Sequence, residues 1–146
     1  MMPVKITYRV IYGDTDAMGI VYYANYLRLF EMGRSEWLRA IGVPYREIES
    51  WGVHAPTTQA YCHYLHPARY EDLLVVETDV EYLKRASIKF VYRISSQENG
   101  RDLAKGYTVH AFVDEKGRIV STPQALKERI QRIMASGEFP PSSCQR

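Results

Sequence analysis

Across residues 4–12 the apolar side chains fall on the even positions, Val4, Ile6, Tyr8, Val10 and Tyr12, and most odd positions are polar. A period of two predicts a strand with one face in a core. Beyond Gly13 the period changes. Over 23–41 a stripe of Tyr26, Phe30, Gly33, Trp37 and Ile41 is separated by Arg28, Glu31, Arg34 and Glu36, the spacing of an amphipathic helix with one buried face. Gly42 followed by Pro44 stops that helix, and a short helical turn is expected over 45–49.

From Gly52 onward the pattern becomes strand-like, over 57–66, 73–83, 88–95 and 103–113, with a short strand over 118–121. The breaks at Glu98-Asn99-Gly100 and Asp114-Glu115-Lys116-Gly117 carry hairpin chemistry, which makes these strands antiparallel neighbours. A terminal helix is expected over 123–135, with Pro123 just inside its start. One strand, one long helix and a run of antiparallel strands give an α+β class. Strands this long must bury one face, and the sizeable partner is the helix over 23–41, so the sheet has to curl around it.

Composition fits one domain, 1–135, followed by a tail over 136–146 whose Pro-Pro-Ser-Ser stretch reads as disordered. The 19 basic and 17 acidic residues leave a formal charge of +2, no footprint for nucleic acid or an anionic membrane. The N-terminus lacks the apolar region of a secretory signal, and no run of about eighteen apolar residues could span a bilayer. A cytoplasmic protein is expected. Cys62 sits in a strand-like segment and Cys144 in the tail, positions that suggest neither a disulfide framework nor a zinc site.

Candidate chemistry concentrates in G-D-T-D-A-M-G-I-V-Y-Y-A-N-Y, residues 13–26. A calcium loop fails, because Met18 stands at its fifth position, where an oxygen ligand is required, and Asn25 at its twelfth, where a bidentate glutamate is required. A D-x-D metal motif needs further acidic ligands at a parallel-sheet edge, which this chain lacks. Two readings stay open. Asp14 suits a turn former that satisfies loop N–H groups. Asp16 stands seven positions before Tyr23, too far for a direct cap of a helix starting there. A carboxylate across a glycine bend from a helix N-terminus can also act as nucleophile or general base, with a backbone N–H receiving an oxyanion. Such a site needs no serine elbow, and the chain has no G-x-S-x-G.

The stretch Y-G-D-T-D-A-M-G-I-V-Y-Y-A-N-Y, residues 12–26, resembles the signature of the hotdog-fold acyl-CoA thioesterases of the 4-hydroxybenzoyl-CoA thioesterase and YbgC-like group. Phe30-Glu31 with Arg34 and Glu36, Tyr64 with Pro67-Ala68-Arg69-Tyr70-Glu71-Asp72, and Arg85-Ala86-Ser87-Ile88-Lys89-Phe90 fall where that family has its further signatures. The resemblance implies a hotdog fold, a long helix wrapped by a curved antiparallel sheet, pairing edge to edge as a homodimer and often assembling into a homotetramer. It implies hydrolysis of an acyl-CoA substrate without metal or cofactor. The family's catalytic carboxylate falls on Asp16 and its oxyanion-binding amide on Tyr23, where some members carry histidine.

The same resemblance places the coenzyme A phosphates near Lys84, Arg85, Ser87 and Lys89; solvated turn charges are the plain alternative. Glu31 is a secondary candidate, its alternative being an ion pair with Arg28 or Arg34. His54, His63, His66 and His110 lack metal spacing and read as structural. Two other functions compete: a hotdog enoyl-CoA hydratase or dehydratase, and a non-catalytic acyl-CoA-binding module.

Overall fold

The computed structural model describes residues 2–140. Five strands, β1 (Val4–Arg9), β2 (Thr57–Tyr64), β3 (Leu73–Leu83), β4 (Ser87–Ser96) and β5 (Asp102–Ala111), form one antiparallel sheet in the order β1-β3-β4-β5-β2. The helices are α1 (Asn25–Ala40), α2 (Tyr45–Ser50) and α3 (Gln124–Ser136). This is the expected α+β arrangement, and its sheet packs its buried face on α1.

The alternation seen in the sequence decides that face. Leu74, Val76, Thr78 and Val80 on β3, and Ile88, Phe90, Tyr92 and Ile94 on β4, are buried, whereas their neighbours face outward. Tyr26, Leu29, Phe30, Gly33, Trp37 and Leu38 form the buried stripe of α1. Two glycines let the helix lie close to the sheet. A Cβ on Gly33 would come within 2.2 Å of the Thr78 hydroxyl oxygen, and one on Gly106 within 2.8 Å of the Phe30 ring. Phe30 stacks on Tyr92 with ring centroids 4.1 Å apart, so the centre of the core is an aromatic layer over Gly106.

β2 and β5 stop two residues short of expectation and Pro123 caps α3 instead of opening it; three further differences have a local reason. The first strand ends at Arg9, because the carboxylate of Asp14 draws the chain into a 3-10 turn over Tyr12–Asp14. The long helix begins at Asn25 and not at residue 23, since the Asn25, Tyr26 and Leu27 N–H groups bond three residues back, to Tyr22, Tyr23 and Ala24. The strand expected over 118–121 is a single bridge between Val113 and Ile119. Asp114 does turn the chain there, accepting from Lys116 and Arg118, but Val113 also bridges His54, and residue 122 is drawn to the carbonyl of Arg85.

Gly137 closes α3 in the left-handed conformation, which glycine adopts without strain. Of the tail expected over 136–146, Phe139 packs against the core, while residues 141–146, Cys144 among them, lie outside the described residues. Among the described residues no helix is long and apolar enough to cross a membrane.

Candidate active site

The loop that leaves β1 is organised by Asp14. Its buried carboxylate accepts hydrogen bonds from the Tyr8 hydroxyl at 2.8 Å and the Ile11 N–H at 2.9 Å, and faces Arg28 at 3.7 Å. Its carbonyl accepts the Tyr22 N–H and the Asn25 side-chain amide, both at 2.9 Å. Strand, loop and helix start are thereby tied to one residue, the turn-forming role expected for Asp14.

Asp16 does something different. Its Oδ1 accepts the Met18 N–H at 2.8 Å, its N–H bonds the carbonyl of Ile20, and its carbonyl accepts the Gly19 N–H. Gly19 makes this tight loop possible, with φ at +79°. The Asp16 Oδ2 has no hydrogen-bond partner among the described residues. Beyond the loop, Val21 donates to the carbonyl of Ala68 at 2.8 Å and Ile20 bridges Arg69, so the segment carrying Pro67 and Ala68 fixes how the loop meets α1.

The N-terminus of α1 has an alanine at its cap position, no side-chain cap and no acidic residue in its first turn. Its positive end is therefore left uncompensated. The Tyr22 N–H is taken by Asp14, but the N–H groups of Tyr23 and Ala24 have no acceptor among the described residues. The Tyr64 hydroxyl donates to the carbonyl of Tyr23 at 2.9 Å, and the Tyr64 ring meets those of Tyr23 and Tyr26 edge-on.

These pieces surround one open groove of about 360 Å³, lined by Asp16, Ile20, Tyr23, Tyr26, Tyr64 and His66 with their neighbours. Asp16 and Tyr23, chosen from the sequence, thus share one wall-to-wall space, and Asp16 is its one carboxylate. Tyr64 stays a neutral donor: burial, followed by Cys62 and the adjacent tyrosines, pushes its pKa up to about 12. Pattern reading alone gives no special weight to His66, on an exposed bend after β2, or to Tyr26, whose helical spacing marks it as core.

The cationic candidates lie elsewhere. Lys84 and Arg85 occupy the turn between β3 and β4, exposed, with Lys84 over the Tyr82 ring at 4.3 Å. Ser87 begins β4. Lys89 is engaged on the outer sheet face, 2.9 Å from Glu81 and 4.2 Å over the Tyr107 ring, and the Glu81 hydrogen bond raises its pKa. Ser87 pairs with Ala111 on β5, whereas Tyr64 pairs with Ala104. Seven residues of strand separate those rows, roughly 24 Å, so within one chain the turn and the groove are at opposite ends of the sheet.

Glu31 takes up the ion pair named as its alternative. Its side chain is 72% exposed and pairs with Arg34 at 3.8 Å, while Arg28 turns to Asp14. It does not reach the groove. No cluster of metal-ligating side chains occurs among the described residues. His110 is buried, and desolvation lowers its pKa to about 4. It bonds Thr108 and the carbonyl of Ala55, the structural part expected of it.

The sequence profile of the thioesterase-like superfamily matches residues 10–130. The chain belongs to the thioesterase-like superfamily. Its fold is the hotdog fold and its family chemistry is thioester hydrolysis. Among relatives, the acyl-CoA thioesterase YbgC of Haemophilus influenzae is 36% identical over 127 residues, covering 86% of this chain and 92% of that one. A crystal structure of a hypothetical protein from Aquifex aeolicus superposes with a TM-score of 0.81 at 36% identity, over 86% of this chain and 98% of that one. The DHNA-CoA thioesterase of Staphylococcus aureus gives 0.86 over 96% and 98% of the two chains; at 22% identity that likeness speaks for the fold alone.

Proposed function

We propose that this thioesterase-like protein hydrolyses an acyl-CoA thioester to the free carboxylic acid and coenzyme A, with Asp16 as nucleophile or general base and the Tyr23 N–H as oxyanion donor. The groove at the N-terminus of α1 carries the reading. There a carboxylate with a free oxygen faces the same space as an amide without an acceptor, at the uncompensated positive end of a helix. A thioester carbonyl held over that amide develops its negative charge where the helix dipole and N–H favour it. Asp16 then attacks the carbonyl carbon, giving an acyl-enzyme that water hydrolyses, or takes a proton from an attacking water. Either way the thiol leaves and the acid remains. A well-placed oxyanion donor is worth on the order of a hundredfold in rate.

Coenzyme A needs cations for its phosphates, and the Lys84-Arg85 turn supplies them from a second copy. β2 is an exposed edge strand without a lysine, arginine or carboxylate, a template for pairing. Antiparallel pairing of β2 with its counterpart sets Thr57 of one copy opposite Tyr64 of the other. That carries the partner's turn to the end of the joint sheet where this chain's groove opens. The free β2 edge supports a homodimer of this kind, with Lys84, Arg85, Ser87 and Lys89 on the coenzyme side, and a homotetramer would be two such dimers.

A panel of short, long and aromatic acyl-CoA substrates, with one enoyl-CoA, tests the proposal by counting released thiol. Thiol appearing in step with free acid is expected. Hydration of the enoyl-CoA without thiol would make the protein a hydratase, and coenzyme A binding with no turnover of any substrate would make it a binding module.

A further inference from the structure

A second cavity, of about 300 Å³, lies between the later turns of α1, α2, α3 and the end of the sheet formed by β4 and β5. It shares no lining residue with the groove at Asp16. The reason is visible along α1. Tyr26, Phe30 and Arg34 follow one another at helical spacing; Tyr26 lines the groove, Arg34 lines the cavity, and Phe30, fully buried and stacked on Tyr92, fills the space between them.

The walls of this second chamber are apolar, built mainly from Leu38, Ile48, Ile88, Phe90, Phe112 and Leu126. Its charged corner holds Arg34 and, at the water-facing edge, Glu31. The Arg34 side chain is 20% exposed, and the one carboxylate near it among the described residues is Glu31 at 3.8 Å, beyond hydrogen-bond distance and itself open to water. Its guanidinium also lies beside the Tyr92 hydroxyl in the core, and its remaining N–H donors have no close anion to receive them. His110, on the same wall, has both ring nitrogens within hydrogen-bond reach of protein oxygens and is uncharged at neutral pH. Tyr45 also lines the space; its hydroxyl oxygen accepts the Ala55 N–H at 3.0 Å, which leaves its own hydrogen free to donate.

We infer that this chamber is a binding site for an apolar monocarboxylate, its carboxylate held by the fork of Arg34 and its hydrocarbon part against the apolar walls. The chemistry selects this class. A planar carboxylate matches a guanidinium with two parallel hydrogen bonds, whereas a phosphate dianion would add charge beside Glu31. At about 300 Å³ the chamber is at the small end of the range of ligand pockets, which favours a short aliphatic acid such as octanoate. The site stands apart from Asp16, so its existence does not depend on the hydrolytic reading.

Octanoate binding by equilibrium dialysis, to wild-type protein and to Asp16→Asn, Arg34→Met and Ser35→Leu, tests the inference. Ser35 lines the chamber, so leucine there fills it without altering charge. Saturable binding of one octanoate per chain is expected, unchanged in Asp16→Asn and weakened at least about tenfold in Arg34→Met and in Ser35→Leu. Octanol, with the same tail and no charge, should bind at least about tenfold more weakly than octanoate. Thermal melting identifies a variant that fails to fold; if Arg34→Met does, Ser35→Leu and octanol decide the matter. Absence of saturable binding would overturn the inference. So would loss of binding in Asp16→Asn with Ser35→Leu unaffected, which places the acid in the groove, or octanol binding as tightly as octanoate.

Discussion

The two ends of the buried face of α1 are built on opposite principles. At its N-terminus the groove is open, holds a carboxylate with a free oxygen, and leaves backbone N–H groups unused. Farther along, the chamber around Arg34 and His110 is walled by three helices and the sheet, and its histidine is fully bonded and neutral. Polar groups near water can stay unsatisfied until a substrate arrives, whereas buried ones must be paired within the fold. The proposed chemistry accordingly draws on the groove, and the inferred acid site draws on Arg34, the chamber's partly exposed cation.

Phe30 keeps the two spaces apart, and removing it is the strongest way to break the contrast. Phe30→Ala should cost about 4 kcal/mol in denaturant unfolding, through loss of the stack on Tyr92 and of the contact over Gly106. A cost below about 1 kcal/mol would mean that the aromatic layer does not hold the helix on the sheet.

Acid should distinguish the two ends next. Burial lowers the pKa of His110 from 6.5 to about 4, so protons bind the unfolded chain first. Its contribution is fully present above pH 6.5 and is lost as pH falls towards 4, about 3 kcal/mol in all. The melting temperature followed across that window should fall in the wild type and fall less in His110→Gln. Equal slopes would contradict a buried neutral imidazole.

Gly33→Ala sits between the two spaces and should destabilise by about 2 kcal/mol through overpacking, since the new Cβ meets the Thr78 hydroxyl on the sheet. Unfolding in urea reads this directly. A neutral result would show that α1 can lift without consequence. The smallest effect is expected at the far turn: Lys84→Ala with Arg85→Ala should raise KM about tenfold, with kcat nearly constant and the wild-type KM itself rising with salt. A KM unchanged by the substitutions would leave these cations as solvated turn charges.

Much of this was legible in the chain. The period of two over β3 and β4 and the helical stripe of α1 gave the sheet, its buried face and the helix that fills it, because both are fixed by which residues avoid water. Asp14 and Asp16 could be told apart by their distance from the helix. Other features depended on contacts that no local pattern encodes. Residues 118–121 have strand-like composition, yet tertiary bonds to His54 and Arg85 claim their neighbours. The helix starts at Asn25 because the N–H groups of Asn25, Tyr26 and Leu27 bond three residues back, while the Asn25 side chain ties that turn to Asp14. The chamber around Arg34 is assembled from three helices and two strands, each of which reads as ordinary core, and Glu31 borders it within the ion pair that the sequence allowed.

The proposed hydrolysis turns on Asp16. Thiol release from an acyl-CoA that the wild type hydrolyses, measured alongside Asp16→Asn of matched melting temperature and coenzyme A affinity, tests it most directly. The prediction is a fall in kcat on the order of a thousandfold, within the range that a positioned acid–base group or nucleophile supplies, with binding retained. Hydrolysis by Asp16→Asn at the wild-type rate would contradict it and remove the groove at α1 as the seat of the reaction.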